Sequence, residues 1–321
     1  MKIPFTPAVY EHAARLVNRS PWEASRDPDL LFAGHRAAFL AYHHTPVVVG
    51  IDIYNLEAEA YGATISVPHG NGIPAVHEPL FPTLEEALQI KPFDPQKDGR
   101  IPMVIEVAKR LAAELPDADV RIPVAGPFSI AFNLRGINNL CEDVALRPRD
   151  VAQFLMTLAE NQAAFCRAVV DAGLDVAFFE SAAAPPMLSP GQFRAIELPA
   201  LKRIISLAET IVHHPVPCIM GGDTVLILDD ILSTGTGFMV CNVETDQKAF
   251  VEKARQTHPH VKIRVNMDPT VVACNEPDRI YREIDRILAL TKDHPNCLLG
   301  TGCLPYETPP ENVRLIKEYV S

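Results

Sequence analysis

The 321-residue sequence contains no CxxC pair, no block of clustered lysine and arginine, and no glycine-rich phosphate loop after an early strand. Each absence removes a class of protein. The seven cysteines, at 141, 166, 218, 241, 274, 297 and 303, are odd in number and scattered through a chain large enough to need no covalent staples, so they read as reduced thiols. With 29 Lys and Arg against 40 Asp and Glu, the formal charge is -11. Phosphate-backbone binding needs clustered cations, so a nucleic-acid partner is excluded, and a polyanionic substrate would need a local cationic patch against the overall field. No segment reaches 18 uninterrupted apolar residues, so no membrane span is predicted. The opening MKIPFTPAVYEHAARL lacks the continuous apolar stretch of a secretory signal, and the expected location is the cytoplasm. The missing phosphate loop also argues against an open doubly wound sheet.

What is present is a mostly apolar chain, 48% apolar and 21% charged, able to bury a sizeable core. Short β-branched runs alternate with long amphipathic segments, the pattern of βαβ units feeding a parallel sheet. Strands are predicted at 46–51, 119–125, 174–180, 215–220, 237–242, 261–266 and 297–301. An eighth candidate lies at 63–67, where the polar stretch that follows fits a hairpin excursion equally well. Helices are predicted over 148–172, over 191–213 behind the cap Ser189-Pro190, and over 309–319 behind Thr308-Pro309-Pro310-Glu311. No linker, repeat or low-complexity stretch interrupts them. The fold class is therefore α/β, a (β/α)8 barrel in one domain over 1–321, with a helical extension at about 1–45.

In such a barrel, function sits at the carboxyl ends of the strands. The strand PVVVGI runs directly into Asp52, followed by Tyr54. A carboxylate at the edge of an apolar interior needs waiting donors or a catalytic role, and capping a turn is the competing explanation. A second strand ends at Glu180-Ser181. Glu180 would pair across the barrel with Asp52 to divide acid and base roles, or else hold a loop through an arginine. Later strands bring His213, His214, Cys218, Cys241 and Cys303, whose spacing fits buried thiols better than a metal site. The glycine-bearing exits at Gly221-Gly222-Asp223 and Gly300-Thr301-Gly302 allow a ligand close approach to backbone.

Several stretches resemble the uroporphyrinogen decarboxylase family, in order along the chain. Asp52-Ile53 with Glu59-Ala60-Tyr61-Gly62 looks like its aspartate-bearing strand and the continuation. Gly126-Pro127-Phe128-Ser129 resembles its Gly-x-Pro-aromatic turn, and Phe179-Glu180-Ser181 with Leu188-Ser189-Pro190 is similar to its Phe-Asp-Ser and Leu-Ser-Pro landmarks. Asn266-Met267-Asp268-Pro269 and Thr308-Pro309-Pro310-Glu311-Asn312 complete the series.

The resemblance implies a cofactor-free decarboxylase for a tetrapyrrole or related carboxylated substrate. Asp52 would stabilise a cationic intermediate, with Glu180 as the second catalytic acid. Tyr54, Phe128, Ser181, Asn242, Asn266, Thr301, Arg19 and Arg26 are the expected substrate contacts. The sequence departs from the decarboxylases in its arginine-poor Pro21-Trp22 segment and in lacking their late Gly-His-Gly. The sister branch, zinc-dependent methyltransferases acting with corrinoid proteins, is the alternative. Its His-x-Cys pattern falls on Ile219 and Gly221, leaving Cys218, Cys241 and Cys303 as a rearranged zinc set. A barrel that binds a tetrapyrrole or corrinoid without turnover is the third reading. The family also commonly pairs as homodimers.

Overall fold

In the computed structural model, which describes residues 3–274 and 276–321, eight parallel strands surround a common axis with helices outside them. They are β1 (Phe5–Ala8), β2 (Val47–Val48), β3 (Val120–Ala125), β4 (Asp175–Glu180), β5 (Cys218–Met220), β6 (Phe238–Cys241), β7 (Lys262–Asn266) and β8 (Cys297–Cys303). Hydrogen bonds link them as β1-β8-β7-β6 and β2-β3-β4-β5, and the bridge Pro217↔Phe238 joins β5 to β6. This is a (β/α)8 barrel.

Two features of the sequence reading need correction. The eighth barrel strand is β1, inside the segment assigned to a helical extension. Residues 63–67 contribute Ile65–Ser66 to an antiparallel hairpin with Ala75–Val76, outside the barrel. The reason lies in β1 itself: Phe-Thr-Pro-Ala is short, and Pro7 cannot donate to a ladder, so the pairing with β8 shifts between Thr6 and Ala8. Helices at His12–Leu16, Pro21–Arg26 and Pro28–Tyr42 follow it. The other predicted helices are present as Pro148–Asp171, Pro190 to Val212 and Pro310–Val320. Ser189 caps the second of these through the Gln192 N–H.

Alternation along each strand divides the core. Outward residues such as Val47, Ile122, Val124, Val176, Phe178, Met239, Ile263 and Leu299 join the helices in one large buried cluster. Inward residues form a small separate cluster of Ala8, Tyr10, Ile53, Ala177 and Phe179, with Val48, Tyr54 and Ile219 against it. Tyr10 and Tyr54 each meet the Phe179 ring edge to face, at centroid distances of 5.9 and 6.2 Å. These rings partition the lumen into a C-terminal mouth and a cavity on the N-terminal side. Among the described residues, no helix is long and apolar enough to cross a membrane.

Candidate active site at the barrel mouth

Asp52 follows β2 and is buried. Its carboxylate receives a bidentate pair from Arg100, Nη1 to Oδ1 at 2.8 Å and Nη2 to Oδ2 at 2.7 Å, and a third bond from Asn55 Nδ2 at 3.1 Å. Arg100 also donates to the Ser25 carbonyl and to Glu59, which in turn pairs with Arg26. Asp52 is therefore the end of an alternating chain of charges, Arg26, Glu59, Arg100 and Asp52, that ties the β2 loop to the helices after β1. A matched anion of this kind has little negative potential left to steady a cationic intermediate. Asp52 thus has the waiting donors that a carboxylate at an apolar edge needs. Arg26 is spent in the same chain and stacks over Trp22, with its guanidinium 4.6 Å from the ring centroid. Arg19 is exposed, 3.8 Å from Glu23. Neither arginine is placed as a substrate contact.

Glu180 ends β4 and is fully buried. It caps the helix Pro127–Arg135 from another strand: Oε2 accepts from the Phe128 and Ser129 N–H groups at 3.0 and 3.3 Å, and Oε1 accepts from Ser129 Oγ at 2.6 Å. The positive end of the helix and these donors satisfy the charge. Glu197 lies against it, carried by the π-helical turn Phe193–Glu197. No donor with good geometry reaches either Glu197 oxygen. Burial first, and then the neighbouring Glu180 charge, push the Glu197 carboxyl well above its ordinary range. Glu180 is raised as well by burial, against the opposing effect of its hydrogen bonds. Both carboxyls of the pair are thus raised, Glu197 the more strongly. Glu180 thus holds a loop, as its competing explanation had it, but through a helix N-terminus and not an arginine. Phe128 belongs to the outer core and offers its ring to no ligand.

Tyr54 and Ser181, two of the expected contacts, do face the mouth. Ser181 is exposed there and hydrogen-bonds the Tyr54 hydroxyl. Cys303, at the end of β8, is exposed in the same space, yet the surrounding protein pushes its thiol up to about 12; Glu11 adds to the rise, Arg264 opposes it and Glu244 adds again. Burial raises Tyr10 and Tyr54 too, with the Cys303 charge next in both cases. Glu11, directly after Tyr10, is buried, and that burial lifts its carboxyl to about 7. Asn266 Nδ2 donates to Asn242 Oδ1 at 3.0 Å, and Asn242 Nδ2 to the Met220 carbonyl at 2.8 Å, so this pair bridges the ends of β5, β6 and β7. Thr301 is fully buried and takes the Ala8 N–H at 3.2 Å, which ties β1 to β8. It is a closure contact.

The thiols do not converge. Cys218 lies beside inward Ile219 and so points outward, where burial and then Glu180 and Glu197 raise its pKa. Cys241 is likewise outward, near Gln247, and only Cys303 of the three reaches the mouth. Among the described residues, no group of three or more His, Cys, Asp or Glu stands close enough to hold a metal ion. His213 and His214 lie at the opposite end of the barrel, where His214 meets Asp175 at 3.1 Å. Asp223 accepts from Thr245 Oγ1 at 2.7 Å and from the Val225 N–H, fixing its own loop.

Sequence reasoning missed Arg100, Glu197, Glu11 and Arg264. Arg264 carried a signal in its inward register within Lys-Ile-Arg-Val-Asn. Glu197 carried none, because an acid on an amphipathic helix is ordinarily solvated.

Comparison with known proteins adds relationship to this geometry. The family model described as uroporphyrinogen decarboxylase (URO-D) matches residues 2–321. Two curated proteins, each a methylcobamide:CoM methyltransferase MtaA, are similar to part of the chain. The one from Methanosarcina barkeri is 28% identical over 138 residues, and that from its strain Fusaro / DSM 804 is 30% identical over 139 residues. Each match takes in 42% of this chain and only 40% of the relative's length. Among solved structures, a methyltransferase from Methanosarcina mazei superposes with a TM-score of 0.84 at 22% identity, covering 100% of this chain and 95% of that one. A B12-independent methionine synthase from Shewanella sp. W3-18-1 gives a TM-score of 0.58 at 11% identity, covering 92% and 87%. At these identities the two structures speak for the fold.

Proposed function

The chain belongs to the uroporphyrinogen decarboxylase family, and within it we propose an enzyme that transfers a methyl group to a small acceptor at the C-terminal mouth, in place of the tetrapyrrole decarboxylase expected from the sequence. The observation that carries this reading is the bidentate Arg100–Asp52 pair. Decarboxylation through a cationic ring needs an anion left unmatched beside it, and here that aspartate is neutralised. The partial likeness to methyltransferases supports the same choice.

The acceptor, written X–H, lies beside the Tyr54–Ser181 pair and the Cys303 thiol. Its X atom attacks the methyl carbon of a donor, for which a corrinoid carried by a partner protein is the proposal. The X–C bond forms, the bond from methyl to donor breaks with its electron pair remaining on the donor, and the proton of X passes to Glu11. A carboxyl near 7 is suited to accept that proton at neutral pH. Zinc, which the methyltransferase resemblance implies, does not fit the residues present: Ile219 and Gly221 stand at the His-x-Cys positions, and Cys218 and Cys241 face away. No step is assigned to it.

The test offers methylcobalamin with a panel of small thiols, followed by loss of the methyl–cobalt absorbance, and in parallel a porphyrinogen carrying acetate groups, followed by release of carbon dioxide. The proposal expects methyl transfer and a fall of about 10²–10⁴-fold in Glu11→Gln. Carbon dioxide release without methyl transfer would return the protein to the decarboxylases.

A further inference from the structure

The N-terminal side of the lumen contains a cavity of about 470 Å³, within the range of small-molecule sites. Its apolar walls are formed by Val48, Ile219, Phe238 and Leu298, and its charged groups are Lys262 at the rim, Arg264 deeper in, and Arg121 with Asp119. The Tyr10 and Phe179 rings line it too, so it adjoins the mouth described above from the N-terminal side.

Arg264 is the unusual member. It is 6% exposed, yet among the described residues it has no ion pair, and its Nε lacks any hydrogen-bond partner. The other deeply placed arginines behave differently. Arg100 is held by Asp52, and Arg135 by Asp143 at 2.7 Å. Arg121, which also lines the cavity, is matched by Asp119 and Asp175 at 3.0 and 3.1 Å. A buried guanidinium without a counter-ion is costly.

The sequence also makes room for it. Gly300 has no left-handed backbone to justify a glycine, but a Cβ there would lie 2.6 and 2.7 Å from Arg264 Cγ and Cδ and 2.3 Å from Asn266 Oδ1. Glycine on the neighbouring strand β8 leaves room for the Arg264 stem. An unpaired cation at the end of an apolar pocket, in a protein of net charge -11, has the complementarity of a site for one negative head on an apolar body.

We propose that the N-terminal cavity binds a small organic carboxylate with an apolar body, its carboxylate paired with Arg264 and its body against Ile219, Phe238 and Leu298. A guanidinium matches a planar carboxylate with two parallel N–H donors, whereas an uncharged ligand of the same shape would leave the arginine unmatched. The site lies on the N-terminal side of the Tyr10 and Phe179 rings, with Arg264 close enough to act on Tyr10, Tyr54 and Cys303, and it does not depend on the methyl-transfer reading.

Isothermal titration of the full chain with octanoate, octanol and acetate tests it. Octanoate should saturate one site, octanol and acetate should bind at least about tenfold more weakly, and Arg264→Gln should weaken octanoate by a similar factor or more. Ile219→Trp, which fills the pocket and leaves the arginine in place, should abolish binding and serves as the readout should Arg264→Gln fail to fold. Absence of saturable octanoate binding overturns the proposal, as does octanoate affinity unchanged in a folded Arg264→Gln or Ile219→Trp protein.

Discussion

Asp52, just beyond β2, and Glu180, at the end of β4, both follow apolar barrel strands, and the protein matches them by opposite means. Asp52 is matched by a full positive charge, the Arg100 guanidinium, with Asn55 as a further donor. Among the described residues Glu180 has no cation. It is held by backbone N–H groups at a helix N-terminus and by the Ser129 hydroxyl, with the raised Glu197 carboxyl beside it. The contrast shows that a strand-terminal acid in a barrel is not by itself a catalytic one. What surrounds it decides whether any charge is left for a substrate.

The largest expected effect follows from removing the cation. Arg100→Met leaves the buried Asp52 without its cation, while Glu59 keeps Arg26, and should cost about 3–5 kcal/mol in urea unfolding. A loss below about 1 kcal/mol would mean that Asp52 is otherwise satisfied, and the contrast with Glu180 would dissolve. Next comes Gly126→Ala. A Cβ there would stand 2.2 Å from Glu180 Oε2 and 2.8 Å from its Cβ, so the carboxylate must leave the helix end. Overpacking of this kind should destabilise by about 1–3 kcal/mol, measured the same way.

The smallest effect at acid pH is Glu197→Gln, because glutamine mimics the protonated acid and should cost less than about 1 kcal/mol at pH 5. Its value lies in pH dependence. In the unfolded chain Glu197 ionises through about 4.5, while in the folded protein burial keeps its proton on to well above that. The folded state therefore binds more protons over this window, and stability falls as pH rises from the unfolded value toward the raised folded one. Glu11 and Glu57, each raised by burial to about 7, act in the same direction between 4.5 and 7. Wild type should lose stability between pH 5 and 8, and Glu197→Gln should lose less. Parallel curves for the two proteins would place the proton elsewhere.

Much of the barrel was legible because its signals are local. Buried parallel strands are continuous apolar runs, and helix starts carry proline at their first positions, with Ser189 capping its helix though Thr308 does not cap the last one, so seven strands and the long helices follow from the sequence. β1 was hidden by its length and by Pro7. The candidate site was legible only as positions. Asp52, Glu180, Tyr54, Ser181 and Cys303 all lie at strand ends as expected, but whether an acid is free depends on residues far along the chain: Arg100 is 48 positions from Asp52, and Ser129 is 51 from Glu180. Charge matching across such separations leaves no periodicity to read. The thiols failed for a related reason, since strand alternation sends Cys218 and Cys241 outward while Cys303 sits past the register.

A double-mutant cycle on Asp52→Asn, Arg100→Gln and the pair, followed by urea unfolding, probes the charge matching at Asp52 most directly. The structure predicts that each single change costs stability and that the double mutant recovers about 2 kcal/mol or more of their sum, the coupling expected of a buried ion pair. Additive losses, together with a folded Asp52→Asn protein that has lost its activity, would contradict the account and restore Asp52 to the mechanism.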